Sequence, residues 1–351
     1  MSKPALKAVT GGMALIVVGF VSALAGCDSQ MLGPGRQGGP VSGGTMTGGA
    51  GGSSPGSAGA AGGATTGAND DLTACGPSLL MGGATGTIAF DSDRNDANRD
   101  LYTIAVDGST LTRLTTDPSN DKEPAFSPDG RRLSFSSDRS GTFQIYLLDL
   151  ATTEVTQVTH IPAGADQSSF SHDGTLIAFH SGASVWVVHP DGTGATRVAT
   201  GLDNVNAYFW PHFSADDTEL VFDRNNEIDA VHLDGSGLRQ IVQNWTTSIK
   251  SPALAPGGTD VAFAAWCDSA LSIRTTPLSG TTAPCKAARI TPTGDPTSQR
   301  PTWGPDDLIA YERVGTVGNI GSIAVISRTV DSIPCLLTPD PADNRNPAWS
   351  F

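Results

Sequence analysis

The sequence has 351 residues, with 21 lysine and arginine side chains against 35 aspartate and glutamate side chains, and a formal net charge of −14 at pH 7. A chain this acidic repels phosphate backbones and anionic membrane surfaces, which argues against nucleic acid as a partner. The chain is long enough to bury a sizeable core without a structural metal.

Residues 1–27 have the pattern of an export signal. Lys3 and Lys7 precede an uncharged apolar stretch over residues 8–26, which ends at Cys27. The final residues, Leu-Ala-Gly-Cys, resemble the lipobox of bacterial lipoproteins, which implies that Cys27 becomes the lipidated first residue of the mature chain. The alternative is an uncleaved transmembrane anchor, since 19 apolar residues are just long enough to span a bilayer.

Residues 28–71 are rich in glycine, serine, alanine and threonine. Such a composition cannot bury a core, so we predict a disordered tether between the anchor and the folded domain. A flexible chain of this length has a typical reach of about 35–40 Å. The folded domain is predicted to cover residues 72–351.

A repeated phrase organises this domain. It reads PAFSPDG at residues 124–130, returns at 168 and 211, has weaker copies at 252 and 301, and is cut short at 347. The starts lie 44, 43, 41, 49 and 46 residues apart. A period in this range, with strand-like runs between turns, is typical of a β-propeller with one blade per repeat.

Each repeat contains four apolar runs that are rich in β-branched and aromatic residues, as expected for four antiparallel strands. Asp129-Gly130 and Asp173-Gly174 predict tight turns after the first strand of a blade. The chain opens on a second strand and ends on an orphan first strand. We therefore predict an all-β, six-bladed propeller that is closed when the C-terminal strand joins the N-terminal blade, which removes an exposed sheet edge.

Four cysteines follow Cys27, and in an exported protein they predict two disulfides. The sequence allows three pairings. We expect Cys75 to pair with Cys335, because the last outer strand lies next to the point where the chain enters the domain. The remaining pair, Cys267 and Cys285, belongs to one blade and requires residues 279–284 to fold back.

The repeated motifs resemble the TolB-type propeller family. The shared pieces are EPAFSPDG at residues 123–130, FSSDR at 135–139 and FDSDR at 90–94. Members of this family are mostly binding and scaffolding modules of the bacterial envelope, and some are fused to serine peptidases. The N-terminal α/β domain of TolB is replaced here by the tether, so TolB's own partners are not implied.

The candidate ligand face combines two sets of loops that converge at one end of the channel. The first set comprises the residues before each repeated phrase, and the second comprises the Asp-Arg pairs that follow the second strands. These candidates are Glu123, Gln167, Tyr208, Trp210, Arg300 and Asn346 in the first set, and Asp93, Arg94, Asp138 and Arg139 in the second. Trp210 is either a plug between blades or a binding platform. The repeated Asp-Arg pairs are more typical of blade-bracing contacts than of catalysis.

The sequence predicts no cofactor, metal or catalytic residue. The histidines are scattered singly, without metal-binding spacing. The loop from Asp93 to Asp100 alternates aspartate and asparagine, but it lacks the glycine and glutamate of an EF-hand.

These features together predict a lipid-anchored propeller of the cell envelope, periplasmic or on the cell surface. It is expected to be monomeric, to be non-catalytic and to bind a protein or a cell-wall glycan. Its only membrane contact would be the lipid. The alternative is a periplasmic hydrolase or lyase with its site in the channel mouth.

Overall fold

The structure is a computed structural model that describes residues 75, 86–95, 97–200, 208–243, 248–315, 319–328 and 332–350. All of them belong to one compact unit, residues 64–351. The signal with Cys27, the tether and the start of the domain lie outside these ranges. Within these ranges no helix is long and apolar enough to cross a membrane.

The described chain forms six four-stranded antiparallel sheets, as the sequence predicts. Blade 1 contains, from the innermost strand outward, β24 (Asn344–Trp349), β1 (Thr87–Ser92), β2 (Asp100–Ala105) and β3 (Leu111–Arg113). Blade 2 contains β4 (Asp121–Phe126), β5 (Arg132–Ser137), β6 (Gln144–Asp149) and β7 (Val155–Gln157). Blade 3 contains β8 (Asp166–Phe170), β9 (Ile177–Ser181), β10 (Ser184–Val188) and β11 (Thr196–Thr200).

The other three blades follow the same plan. Blade 4 contains β12 (Tyr208–Phe213), β13 (Glu219–Arg224), β14 (Glu227–His232) and β15 (Arg239–Val242). Blade 5 contains β16 (Ile249–Leu254), β17 (Asp260–Cys267), β18 (Ala270–Pro277) and β19 (Ala288–Arg289). Blade 6 contains β20 (Thr297–Trp303), β21 (Leu308–Val314), β22 (Gly321–Ser327) and β23 (Cys335–Leu336).

The innermost strands contact one another in sequence around a central channel. We call the end of the channel at which these strands begin the upper end. The loops that join second to third strands also lie there, because successive antiparallel strands reverse direction. The lower end carries the turns after the first and third strands. Gly130 and Gly174 adopt left-handed φ values of 67° and 70° in these turns, as the Asp-Gly pairs predict.

Closure by the last strand is confirmed. β24 pairs antiparallel with β1, with Trp349 opposite Ile88 and Ala348 opposite Ala89. Ser350 extends this pairing, since its backbone N–H donates to the Thr87 carbonyl at 2.9 Å. The first blade is therefore built from both ends of the domain.

The core consists of six apolar clusters, and each lies between two neighbouring blades. The aromatic residue of the repeated phrase enters the cluster shared with the preceding blade. Phe213 packs against Val185 of blade 3, and Trp303 donates its indole N–H to the Ala253 carbonyl of blade 5 at 3.0 Å. The side chain at this position therefore fills the space between two blades, which explains the repeat of an aromatic residue there.

Two disulfides are present, with the pairings expected from the sequence. Cys75 joins Cys335 with a Cα–Cα distance of 4.9 Å, and Cys267 joins Cys285 with one of 5.7 Å. The insert before Cys285 folds back along the edge of the preceding sheet, that of blade 4, where Thr282 forms a parallel bridge with Val242. This excursion returns Cys285 to the end of β17.

Candidate functional site

Six residues form a ring around the channel, each directly before the proline position of an innermost strand. We call them the bulge ring, because each interrupts the pairing register of its strand. The ring comprises Glu123 (φ 58°), Gln167 (57°), Trp210 (51°), Ser251 (56°), Arg300 (50°) and Asn346 (53°). A left-handed backbone costs a residue other than glycine on the order of 1–3 kcal/mol, so the surrounding contacts must hold it in place.

The backbone N–H groups at the bulges bond to side chains of the preceding blade. Asp91 of blade 1 accepts from Glu123 at 3.0 Å, and Glu123 in turn accepts from Gln167 at 3.2 Å. Gln167 accepts from Trp210 at 3.1 Å. These bonds link blades 1 to 4 in series. The side chains of Glu123 and Gln167, which the sequence offered as ligand contacts, are therefore engaged in holding the ring.

Two buried carboxylates in this series have raised pKa values. Burial raises the pKa of Asp91, against the lowering effect of Arg99, whose Nε lies 3.3 Å from its Oδ2. Burial also raises the pKa of Glu123, opposed by Lys122 and reinforced by the charges of Asp166 and Asp91. Both groups have a cationic neighbour, so they act as parts of a paired network.

Arg300 closes the opposite side of the ring. Its guanidinium donates to Glu312 at 2.5 Å and lies 5.5 Å from the centre of the Trp210 ring. Arg300 belongs to blade 6 and Trp210 to blade 4, so their contact passes the position of Ser251 in blade 5. Trp210 is half-buried beneath it. This arrangement favours the plug role for Trp210. Tyr208 is the first residue of the same strand, and its side chain is not among those that the structure describes.

Two polar atoms of the ring have no hydrogen-bond partner within the described residues. The Ser251 hydroxyl belongs to a residue that is 3% exposed, and the Asn346 carbonyl oxygen to one that is 8% exposed. The amide of Asn346 has a defined orientation, because its Nδ2 donates to Asp91 at 2.6 Å. Buried polar groups are normally paired, so these two atoms are exceptions to that rule.

An axial cavity of about 400 Å³ begins at the bulge ring. Its walls are formed by the prolines, alanines and aromatic residues of the innermost strands, and it extends to Pro128, His172 and Pro256. The residues at the ring end are largely buried and these three are exposed, so the cavity opens at the lower end. The mouth therefore lies opposite the face that the sequence offered for ligand binding.

His212 lines this cavity. Burial, together with the nearby charge of His172, lowers the pKa of His212 to about 4, so its imidazole is neutral at pH 7. His172 stands at the mouth and bonds through Nδ1 to Asp217 at 3.0 Å. That aspartate also accepts the backbone N–H groups of His172 and Asp173, which fastens two turns together.

The Asp-Arg loops at the upper end brace their blades. Arg139 donates to both carboxylate oxygens of Asp121, at 2.9 and 2.8 Å, and lies 5.0 Å from the centre of the Tyr146 ring. Arg94 repeats the ring contact at 4.8 Å from Tyr102. Asp138 accepts from the backbone and side chain of Asn120, at 2.8 and 2.9 Å. These contacts are the blade-bracing contacts that the repetition of the Asp-Arg pairs indicates.

The loop considered for calcium is held in the same way. Asp93 accepts the Asp343 backbone N–H at 2.9 Å, and Asn98 donates to the carbonyls of Asp117 and Ser119, at 3.0 and 2.8 Å. Asp100 pairs with Arg113. No group of three or more His, Cys, Asp or Glu residues in the described ranges is arranged to hold a metal ion.

The upper end also exposes apolar side chains that were not singled out from the sequence. Trp266 is 49% exposed and lies in β17, next to the loop between the second and third strands of blade 5, and Ile320 is 36% exposed in the equivalent loop of blade 6. The strands that flank these loops have seven or eight residues, against five or six in the other blades. The unusual length of the apolar run at residues 261–267 was the signal that could have identified Trp266.

Comparison with known proteins confirms the family resemblance. Residues 83–183 match the family model described as TolB beta propeller domain. The chain is 28% identical over 139 residues to the protein TolB homolog of Chlorobium luteolum, a match that covers 38% of this chain and 30% of that protein. It is 49% identical over 47 residues to the Tol-Pal system protein TolB of Bordetella pertussis, covering 13% and 11%.

These matches span less than a third of the length of either relative. The crystal structure of TolB from Acinetobacter baumannii superposes with a TM-score of 0.64 at 18% identity, covering 76% of this chain and 66% of that chain. The structural likeness therefore supports the propeller fold.

Proposed function

We propose that this chain is a non-catalytic binding module of the bacterial cell envelope, held by a lipid on Cys27, whose upper end contacts a protein or a cell-wall glycan. The observation that carries the proposal is the exposed Trp266, which projects from a lengthened hairpin next to the channel. Tryptophan is enriched at the centres of binding interfaces. The likeness to proteins named for the Tol-Pal system supports an envelope partner.

The pairing of charged groups supports a non-catalytic role. A general acid or base must reach a substrate with a proton to exchange. Around the channel, Asp166 accepts from His180 at 2.7 Å, and Glu312 is held by Arg300 and by Gln299 at 2.7 Å. These side chains connect strands within their blades, so their polar atoms serve the fold. A hydrolase or lyase with its site in the channel mouth is the rival function.

Replacement of Trp266 by alanine tests the proposed face. Because the side chain is half-exposed, we expect an almost unchanged melting temperature and a loss of about 2–4 kcal/mol in affinity for a partner captured from envelope extracts. Ile333 is the matched control, since it is 73% exposed and lies in the connection between the third and fourth strands of blade 6, at the lower end. Equal losses for Trp266→Ala and Ile333→Ala would contradict the assignment of the face.

Trp210→Ala separates the two roles of the ring tryptophan in the same assay. If Trp210 is a plug that supports Arg300, the substitution should lower the melting temperature and leave binding per folded molecule unchanged. A binding anchor predicts the reverse.

The lipid anchor has its own test. If Cys27 carries lipid, Cys27→Ala should abolish metabolic labelling of the protein with a fatty acid, because no thiol remains at the end of the lipobox. Cys75→Ala is the control and should leave labelling intact. Unchanged labelling of Cys27→Ala would rule out the anchor.

A further inference from the structure

The axial cavity has a volume of about 400 Å³ and plays no part in the proposed function. Small-molecule sites usually have volumes of about 300–1,000 Å³, and a cavity of about 150 Å³ already holds benzene. The space exists because the second position of the repeated phrase is small in five blades, with a larger side chain in blade 4. These residues are Ala125, Ser169, His212, Ala253, Thr302 and Ala348, and all of them line the cavity.

Ser251 differs from the other serines of the cavity wall. Five serines line the cavity, and four of them donate hydrogen bonds to protein acceptors at 2.6 to 2.9 Å. These four are Ser127, Ser168, Ser169 and Ser171. The hydroxyl of Ser251 has no partner in the described part of the chain, and the residue is only 3% exposed. Because this hydroxyl is buried, it can be reached only from the cavity that it lines.

Asn346, at the ring end of the same cavity, requires a hydrogen-bond donor. Its Oδ1 is buried and has no partner among the described residues. Its Nδ2 donates to Oδ1 of Asp91 at 2.6 Å, and that oxygen also accepts the Glu123 backbone N–H at 3.0 Å. A reversed amide would place two acceptors against each other, so the carbonyl oxygen of Asn346 lies on the other side. This oxygen can only accept, and its partner must carry an O–H or N–H group.

The charges around the cavity favour a neutral ligand. Glu123 and Arg300 line the ring end, and each has a counter-charge within the protein. The Nζ atom of Lys122 lies 3.6 Å from Glu123, and Arg300 donates to Glu312 at 2.5 Å. His212 is neutral at pH 7, because burial lowers its pKa to about 4. A charged ligand would therefore lose its hydration without gaining an unpaired counter-charge, which is unfavourable.

We propose that the axial cavity binds a small neutral alcohol or phenol with an apolar ring system, whose hydroxyl donates to Oδ1 of Asn346. The prolines and aromatic side chains of the wall bury the ring system. A hydroxyl both donates and accepts, so it is also compatible with Ser251 and with the neutral imidazole of His212. The ligand enters from the lower end. The site is separate from the upper face, and it does not depend on the proposed function.

Calorimetric titration of the full chain with 2-naphthol tests the chemistry of the site, and we expect saturable binding of one molecule per chain. The matched probe 2-methoxynaphthalene has the same rings but no donor. It should bind about 10-fold or more weakly, because it leaves the oxygen of Asn346 unpaired. The charged 2-naphthoate should also bind at least about 10-fold more weakly. Equal affinities for the three probes would overturn the hydroxyl assignment. Absence of saturable 2-naphthol binding would mean that the cavity holds water only, and would overturn the site.

Substitution of the cavity wall tests the location. Ala125 is partly accessible and lines the cavity, so Ala125→Leu should occupy the space and abolish 2-naphthol binding. The same substitution at Ala151, which is exposed in the turn between β6 and β7, is the matched control and should leave binding unchanged. Full binding by a folded Ala125→Leu variant would contradict the location. Loss of binding in Trp266→Ala would place the probe at the upper end and would also contradict it.

The histidine side chains provide a readout that requires no change in the wall. The sequence contains six histidines, and ¹⁵N NMR should identify His212 as the imidazole that stays neutral until the pH falls to about 4. Addition of 2-naphthol at pH 7 should shift the ring nitrogens of His212. The side chain of His232 is 50% exposed outside the cavity, and its signals should not move. Equal shifts at His212 and His232 would overturn the site, and this measurement decides the location if Ala125→Leu does not fold.

Discussion

Removal of residues 347–351 is expected to leave a domain that is unfolded or aggregated at physiological temperature. The deletion takes away Trp349, which is 3% exposed in the core shared by blades 1 and 6, and half of the strand that pairs with β1. Loss of one buried tryptophan costs about 3–5 kcal/mol. A typical domain has a total stability of only about 5–15 kcal/mol.

Thermal melting followed by circular dichroism measures the effect. A chain that lacks only Phe351 is the control and should melt close to the intact protein, because β24 and Ser350 are retained. If the longer deletion melted within a few degrees of the intact chain, closure by the last strand would not stabilise the propeller.

Loss of the Cys75–Cys335 disulfide is expected to have the second-largest effect. The bond joins residues 260 positions apart, so it closes a loop that includes almost the whole propeller. A disulfide that closes a long loop typically stabilises the folded protein by about 2–5 kcal/mol, largely because it restricts the conformations of the unfolded chain. The double replacement Cys75→Ala and Cys335→Ala should therefore lower the free energy of unfolding by that amount.

Replacement of Cys267 and Cys285 is the matched comparison, because these residues lie only 18 positions apart. A shorter loop restricts the unfolded chain less, so this pair should contribute less to stability. Non-reducing peptide mapping should recover 75 linked to 335 and 267 linked to 285. Peptides that link 75 to 267 or 285 would contradict the pairings.

The fold was predictable because the repeat encodes local structure. Asp129-Gly130 specifies a turn through the side-chain acceptor and the left-handed glycine, and Ser127 completes the turn by bonding to Asp129 at 2.6 Å. The period of the phrase then sets the number of blades. The orphan strand at residue 347 indicates how the ring closes, since an unpaired strand and an unpaired edge lie at opposite ends of the domain.

The functional site was less predictable, because it depends on backbone geometry and on contacts between blades. Glu123, Trp210 and Ser251 share no chemical property, so nothing in their identities reveals a common left-handed backbone. Positions equivalent in the repeat also have different surroundings. Lys122 has a carboxylate beside it, whereas Lys250 does not form an ion pair in the described chain. Only the packed structure distinguishes the two lysines.

Hydrogen exchange of the propeller with and without its captured partner tests the central claim most directly. Binding at the upper end predicts slower exchange at residues 266–270, in the hairpin that carries Trp266, and in the strand start at Ile249 and Lys250. Amides in the lower turns, such as Gly130 and Gly174, should exchange at unchanged rates. Protection confined to those lower turns would place the partner at the mouth of the axial cavity and contradict the account.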